Sequence, residues 1–186
     1  MSAIDTYAIS DTNTLHGGAL IMLMEAIHNT NPKIKYSIDF CESKSKYKIN
    51  FSCEEWQKKE ISLGLFIKHS QKRISPWRYT FTKEHQNEII DLFKTCDSVF
   101  ILLIASQKGI AVINKSLYEE LLDENIDESE WISLSRKHNE NFRIRSKDKN
   151  KKDTLAKNCF PNLITDFLKN LSEENEKKLL SKFKLF

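Results

Sequence analysis

Glycine and proline are scarce in this 186-residue chain, at four and three residues. That scarcity excludes collagen-like and low-complexity architectures, which use both heavily. Cysteine occurs four times, at Cys41, Cys53, Cys96 and Cys159, and never as C-x-x-C. No histidine stands close to a cysteine pair, so a zinc module has no frame and free thiols are expected. Long apolar runs are missing as well. The longest spans Val99 to Ala105, far short of the ~20 residues that cross a bilayer as a helix. No basic stretch followed by an apolar one opens the chain, so the expectation is a cytoplasmic protein without a secretory leader or a membrane partner. Neither sign of charge dominates: 29 Lys and Arg face 26 Asp and Glu, a net +3. That total does not by itself announce a nucleic-acid binder.

What is present is enough apolar material for a core. Hydrophobic residues make up 40% of the chain and charged residues 30%, and a chain of this length hides roughly 70% of its unfolded surface on folding. At ~100–200 residues per domain the expectation is one domain over 1–186. Its core lies at about 13–146, followed by a basic loop at about 147–153 and C-terminal helices at about 162–186. Leu15, Ala19, Leu23 and Ile27 recur at helical spacing and predict a first helix over about Asn13 to His28, ended by Asn31-Pro32. Period-two alternation then predicts strands over Lys33 to Phe40, Lys46 to Cys53 and Ile61 to His69, an antiparallel meander with one buried face.

Trp77 to Phe81 reads as a further extended piece, and Thr82 as the cap of a helix reaching Thr95. The unbroken apolar run Val99 to Ala105 has the composition of a strand buried on both faces, beside a strand over Ile110 to Ile113. Ser116-x-x-Glu119 reads as a capping box for a short helix. Trp131 to Leu134 and Asn141 to Arg145 form a late hairpin, and Ser172 is expected to cap a last helix. The fold class is α+β: a mixed sheet with an antiparallel meander, flanked by helices.

Charge is unevenly distributed. Ile61 to Lys83 holds no carboxylate but contains Lys68, Lys72, Arg73, Arg78 and Lys83. Leu134 to Lys152 holds eight basic residues, Arg143 and Arg145 among them, against Glu140 and Asp148. Between these lies an acidic stretch, Glu119 to Glu130. Cations interleaved with aromatics suit a phosphate backbone with stacked bases. The candidate nucleic-acid-binding residues are therefore Lys72, Arg73, Trp77, Arg78, Arg143 and Arg145, with DNA or RNA as partner. The competing structural account puts Trp77, Tyr79 and Phe81 in the core and leaves the cations solvated.

The common catalytic frames are absent. There is no G-x-x-x-x-G-K-[ST], no G-x-G-x-x-G and no G-x-S-x-G. His85-x-x-Glu88 offers two potential ligands on one helix face, but a solvated face explains it as well. His16 and His28 flank the first helix without a partner visible in the sequence.

The order helix, three strands, helix, buried strand, strand over Leu15 to Leu122 resembles the core of the PD-(D/E)XK restriction-endonuclease-like superfamily. By that resemblance Lys68, ending Leu65-Phe66-Ile67-Lys68, corresponds to the motif lysine that polarises the attacking water. Asp39 resembles the motif aspartate, Glu25 the helical glutamate of some members, and Gln86 a glutamine found after the lysine strand. The resemblance implies Mg²⁺ held by hard carboxylate oxygens if the site is active, and otherwise no cofactor.

The departure is Phe66, which stands where the family places an acid. The literal Glu42-Ser43-Lys44 triplet falls in a turn only three residues after Asp39, too close to supply carboxylates from adjacent strands. The expectation is a nucleic-acid-associated protein with a catalytically degraded, nuclease-like core and no resident metal. In such a core Asp39 and Lys68 approach one another across neighbouring strands, with Glu25 nearby. The alternative is a non-enzymatic subunit or inhibitor whose charged segments contact a protein partner.

Overall fold

The Ser10 side chain accepts the Asn13 backbone N–H at 3.1 Å, giving one of the free N–H groups at the helix start a partner. From there α1 runs Asp11–Thr30. The computed structural model describes residues 10–56, 60–122, 128–147 and 153–183. Three strands follow: β1 (Lys35–Phe40), β2 (Lys46–Ser52) and β3 (Ile61–Ser70). They pair antiparallel in sequence order, as the predicted meander does, but the single buried face does not hold: β1, at the sheet edge, is largely exposed, and β3, between β2 and β5, is buried on both faces.

Next come β4 (Trp77–Phe81), α2 (Lys83–Thr95), β5 (Ser98–Ala105), β6 (Ile110–Asn114) and α3 (Lys115–Leu121). β5 lies parallel to β3 and antiparallel to β6. The main sheet therefore has the order β1-β2-β3-β5-β6, with the apolar run Val99–Ala105 buried inside it between two strands. Alternation divides that run. Phe100, Leu102 and Ile104 join the core under α1, while Val99, Ile101, Leu103 and Ala105 join the core on the other face.

β4 leaves the main sheet. With β7 (Glu130–Ser135), β8 (Phe142–Ser146) and β9 (Asp153–Leu155) it forms a second sheet, ordered β4-β7-β8-β9 and antiparallel throughout. The late hairpin is β7 with β8, so the α+β expectation holds with two sheets in place of one. The inner face of the second sheet (Trp77, Tyr79, Phe81, Ile132, Leu134, Phe142, Ile144) packs into the same core as α2, α3 and one face of β5.

Two helix boundaries differ from expectation. Asn114, not Ser116, caps α3 by accepting the Leu117 N–H at 3.0 Å. The C-terminal segment is one element, α4 (Cys159–Phe183), bent at a non-helical Phe160. The bend follows from Pro161, which pushes the residue before it toward extended backbone. Ser172 does not interrupt the helix, because 162–183 contains neither glycine nor proline. Of the expected basic loop, 148–152 lies outside the described residues, and 153–155 is strand.

Candidate nucleic-acid interface

The second sheet is amphipathic by strict alternation. β4 is buried at Trp77, Tyr79 and Phe81 and exposed at Arg78 and Thr80. β8 is buried at Phe142, Ile144 and Ser146 and exposed at Arg143 and Arg145. β7 turns Trp131, Ser133 and Ser135 outward, each half-buried by its neighbours.

Strand register sets these side chains in rows. Arg78 lies opposite Ser133, and Ser133 opposite Arg145. Ser135 lies opposite Arg143, and Arg143 opposite Thr154 on β9. Thr80 lies opposite Trp131, and the Arg78 guanidinium sits 4.4 Å from the centre of the Trp131 ring. The outward positions of the described residues thus carry three arginines, a tryptophan and small hydroxyl side chains, and no carboxylate. Glu140, in the β7–β8 turn, reaches Arg143 at 3.0 Å through an exposed pair that contributes little in water.

Two basic segments more than sixty residues apart in sequence, around Arg78 and around Arg143 and Arg145, thereby meet on one open surface. Part of the acidic stretch is drawn to its edge. Glu128 and Glu130 both reach Lys147, at 2.6 and 3.4 Å. Lys147 holds the Glu128 carboxyl below its ordinary range through that hydrogen bond.

The other predicted nucleic-acid residues are placed differently. Lys72 and Arg73 are exposed on the β3–β4 connection. Trp77 is 2% exposed, and its indole N–H donates to the Lys72 carbonyl at 2.8 Å. Its ring belongs to the core and is not offered to a base on the open face, because it sits on the inward side of β4.

The nuclease-like candidates do not assemble. Asp39 is on β1 and Lys68 on β3, with β2 between them. Asp39 is in register with Lys48, and Lys48 with Gly64, which stands four residues before Lys68 on its strand. Asp39 accepts from the Asn50 side chain at 3.0 Å. Glu25 lies on the α1 side of the sheet, lining a groove with Tyr36 and Ile38. Gln86 is buried and donates to the backbone carbonyls of Phe81 and Glu128 at 3.2 and 2.8 Å, tying α2 to the entry of β7. Phe66 is fully buried against Phe81 and His85.

Lys68 has its own surroundings. Its Nζ is 3.1 Å from His85 Nδ1 and 5.4 Å from the Phe81 ring centre. Burial pushes its pKa down to about 8, against the opposing pull of Glu88. His85 Nδ1 also accepts the Thr82 backbone N–H at 3.2 Å, closing the cap of α2, so the neutral ring carries its proton on Nε2. On the opposite face of β3, His69 Nδ1 meets His16 Nε2 at 3.2 Å. Among the described residues no group of three or more His, Cys, Asp or Glu side chains is arranged to hold a metal ion.

Sequence reasoning missed Trp131 as a surface residue. The signal was present: with Ile132 and Leu134 inward on a period-two strand, Trp131 must face outward. Compared with protein-family models, curated proteins and solved structures, the chain shows no match.

Proposed function

We propose that this chain is a nucleic-acid-associated protein that binds a strand on the open face of β4, β7 and β8, and that its nuclease-like core does not cleave. The observation that carries the proposal is the grouping of Arg78, Arg145 and Arg143 in two adjacent rows beside the Arg78–Trp131 stack, at strand positions without carboxylates, the Glu140 side chain reaching Arg143 only from the turn. Arginines supply phosphate contacts, whose release of counterions drives association. Guanidinium and indole planes supply stacking surfaces that accept any base. Serine and threonine hydroxyls between them hydrogen-bond to phosphate or sugar oxygens.

The absence of cleavage is supported by three placements, the last two of which depart from the expected core, in which Asp39 and Lys68 approach one another with Glu25 nearby. Phe66 is buried where the resemblance requires an acid, Asp39 is a strand removed from Lys68, and Glu25 lies across the sheet. One carboxylate without a neighbour cannot assemble the oxygen set that Mg²⁺ needs. The helix, three-strand, helix, strand order of the resemblance runs through the main sheet, with β4 inserted before α2.

The test is fluorescence anisotropy with labelled single-stranded DNA and RNA at low salt. Binding by the wild-type chain, weakened at least tenfold in Trp131→Ala combined with Arg78→Ala, is the expected result. Absence of binding, or binding indifferent to that change, would refute it.

The alternative, a protein-interaction subunit, draws on a different observation. A groove of about 610 Å³ between α1 and β1 is lined by Ile21, Met24 and Tyr36, and Ile21 and Phe40 are 61% and 79% exposed. Exposed apolar surface of this kind marks protein contacts. Self-association in light scattering, abolished by Ile21→Lys, would favour that reading.

A further inference from the structure

At the end of the second sheet where Ser135 faces Arg143, the next residue, Arg136, turns into a pocket of about 310 Å³. Arg73, Ile74, Lys108, Arg136, Lys137 and His138 contribute to its lining, which contains no carboxylate. Among the described residues none of these four Lys and Arg side chains forms an ion pair. They come from three separate places in the chain: the β3–β4 connection, the turn between β5 and β6, and the end of β7.

The pocket is held in shape. The Arg136 backbone N–H donates to the Ser75 hydroxyl at 3.3 Å. Its guanidinium sits 4.8 Å from the centre of the Phe142 ring. Gly109 has φ +130°, and a Cβ there would come within 3.1 Å of Arg136 and 3.2 Å of Phe142. Glycine at 109 therefore serves two needs, a left-handed backbone and a close approach to the arginine. Four cations converging on a concavity repel one another, and the ligand that relieves this carries concentrated negative charge. A phosphate monoester carries between one and two negative charges near neutral pH and three acceptor oxygens, which suits a guanidinium fork with flanking ammonium groups. An internal phosphodiester carries only one charge.

We propose that this pocket takes the terminal phosphate of a nucleic-acid strand whose body lies along the adjoining open face. The proposal rests on the nucleic-acid reading above and adds recognition of a strand end. An exposed Ile74 at the pocket offers apolar surface to the last sugar or base.

The experiment compares three forms of one internally labelled 12-mer single strand: 5′-phosphorylated, 3′-phosphorylated and hydroxyl at both ends. Each is titrated at fixed salt against the wild-type chain, Lys108→Ala/Lys137→Ala, and Lys108→Glu as a second variant on an exposed turn, with thermal melting recorded for all. The expected result is that one phosphorylated end binds about tenfold tighter than the hydroxyl-ended strand, as charge-assisted bonds to a dianion allow. That preference should vanish in both variants, while their affinity for the hydroxyl-ended strand changes less than threefold. Competition by inorganic phosphate that removes the preference, but not the binding, would support the pocket as its source. Equal affinity for all three ends, or a preference that survives both variants, would overturn the proposal and leave the nucleic-acid reading standing. No binding of any strand at low salt would overturn both.

Discussion

His16 is a buried histidine with no carboxylate partner among the described residues. Its Nδ1 lies 3.2 Å from the Lys44 carbonyl and 3.1 Å from the Tyr47 hydroxyl, and its Nε2 faces His69. Burial first, and then the neighbouring His69, lower its pKa to about 4, with the Lys44 carbonyl pulling weakly the other way. The unfolded chain, with histidine near 6.5, takes up this proton before the folded chain does. The associated stability is therefore complete above pH ~6.5 and is lost as pH falls from there toward ~4, by roughly 3 kcal/mol at most. Denaturant midpoints measured from pH 7.5 to 4.5 should fall steeply for the wild type. His16→Asn, which has no titrating ring, should be less stable at neutral pH but show a flatter profile. Equal slopes for the two proteins would mean that His16 does not carry the acid sensitivity. The sequence showed this histidine on the first helix but not its partners, because Lys44, Tyr47 and His69 reach it only after the meander has folded.

Elements were legible wherever a single periodicity governed the chain. β2 follows alternation, β3 and β5 continuous burial, and α2 begins at its predicted Thr82 cap, whereas β1 alternates in sequence but leaves Tyr36 and Phe40 exposed at the sheet edge. What alternation could not reveal was partnership. β4 has the same period as the meander strands, and only its pairing with β7 assigns it to a second sheet. Gly64 is a case in which the element's neighbour decides. A Cβ there would lie 3.0 Å from Leu92 on α2 and 3.2 Å from Val99 on β5. Gly64→Ala should therefore destabilise by about 1–3 kcal/mol through overpacking, despite the better strand propensity of alanine. A thermal midpoint unchanged or raised in that variant would show that α2 has room to move outward. At the other end of the helix cap, Thr82→Ala removes the hydroxyl that accepts the His85 N–H, with an expected cost of about 1 kcal/mol.

For the whole molecule, the question is how charge scattered along the chain becomes one surface. The basic segments were visible in the sequence. Their meeting was not, since it depends on β4 and β8 both flanking β7. The nuclease resemblance illustrates the converse: Asp39 and Lys68 have the right types in the right order, yet β2 separates their strands. A plasmid or single-stranded substrate incubated with the protein and Mg²⁺ should stay intact, and Phe66→Glu should lose stability without gaining cleavage, because it buries a carboxylate in an apolar core. Cleavage by the wild type that disappeared in Asp39→Ala and in Lys68→Ala would contradict the degraded core.

The central claim concerns the open face. Its most direct test is the salt dependence of single-strand binding by the wild type and by Arg78→Ala/Arg143→Ala/Arg145→Ala. Each phosphate contact contributes ~0.7 to the slope of log affinity against log salt for a single strand. The triple variant should thus have a slope shallower by about 2, while surface changes of this kind move stability by only about 0.5 kcal/mol. A slope identical to that of the wild type would show that the strand, if bound at all, lies elsewhere on the molecule.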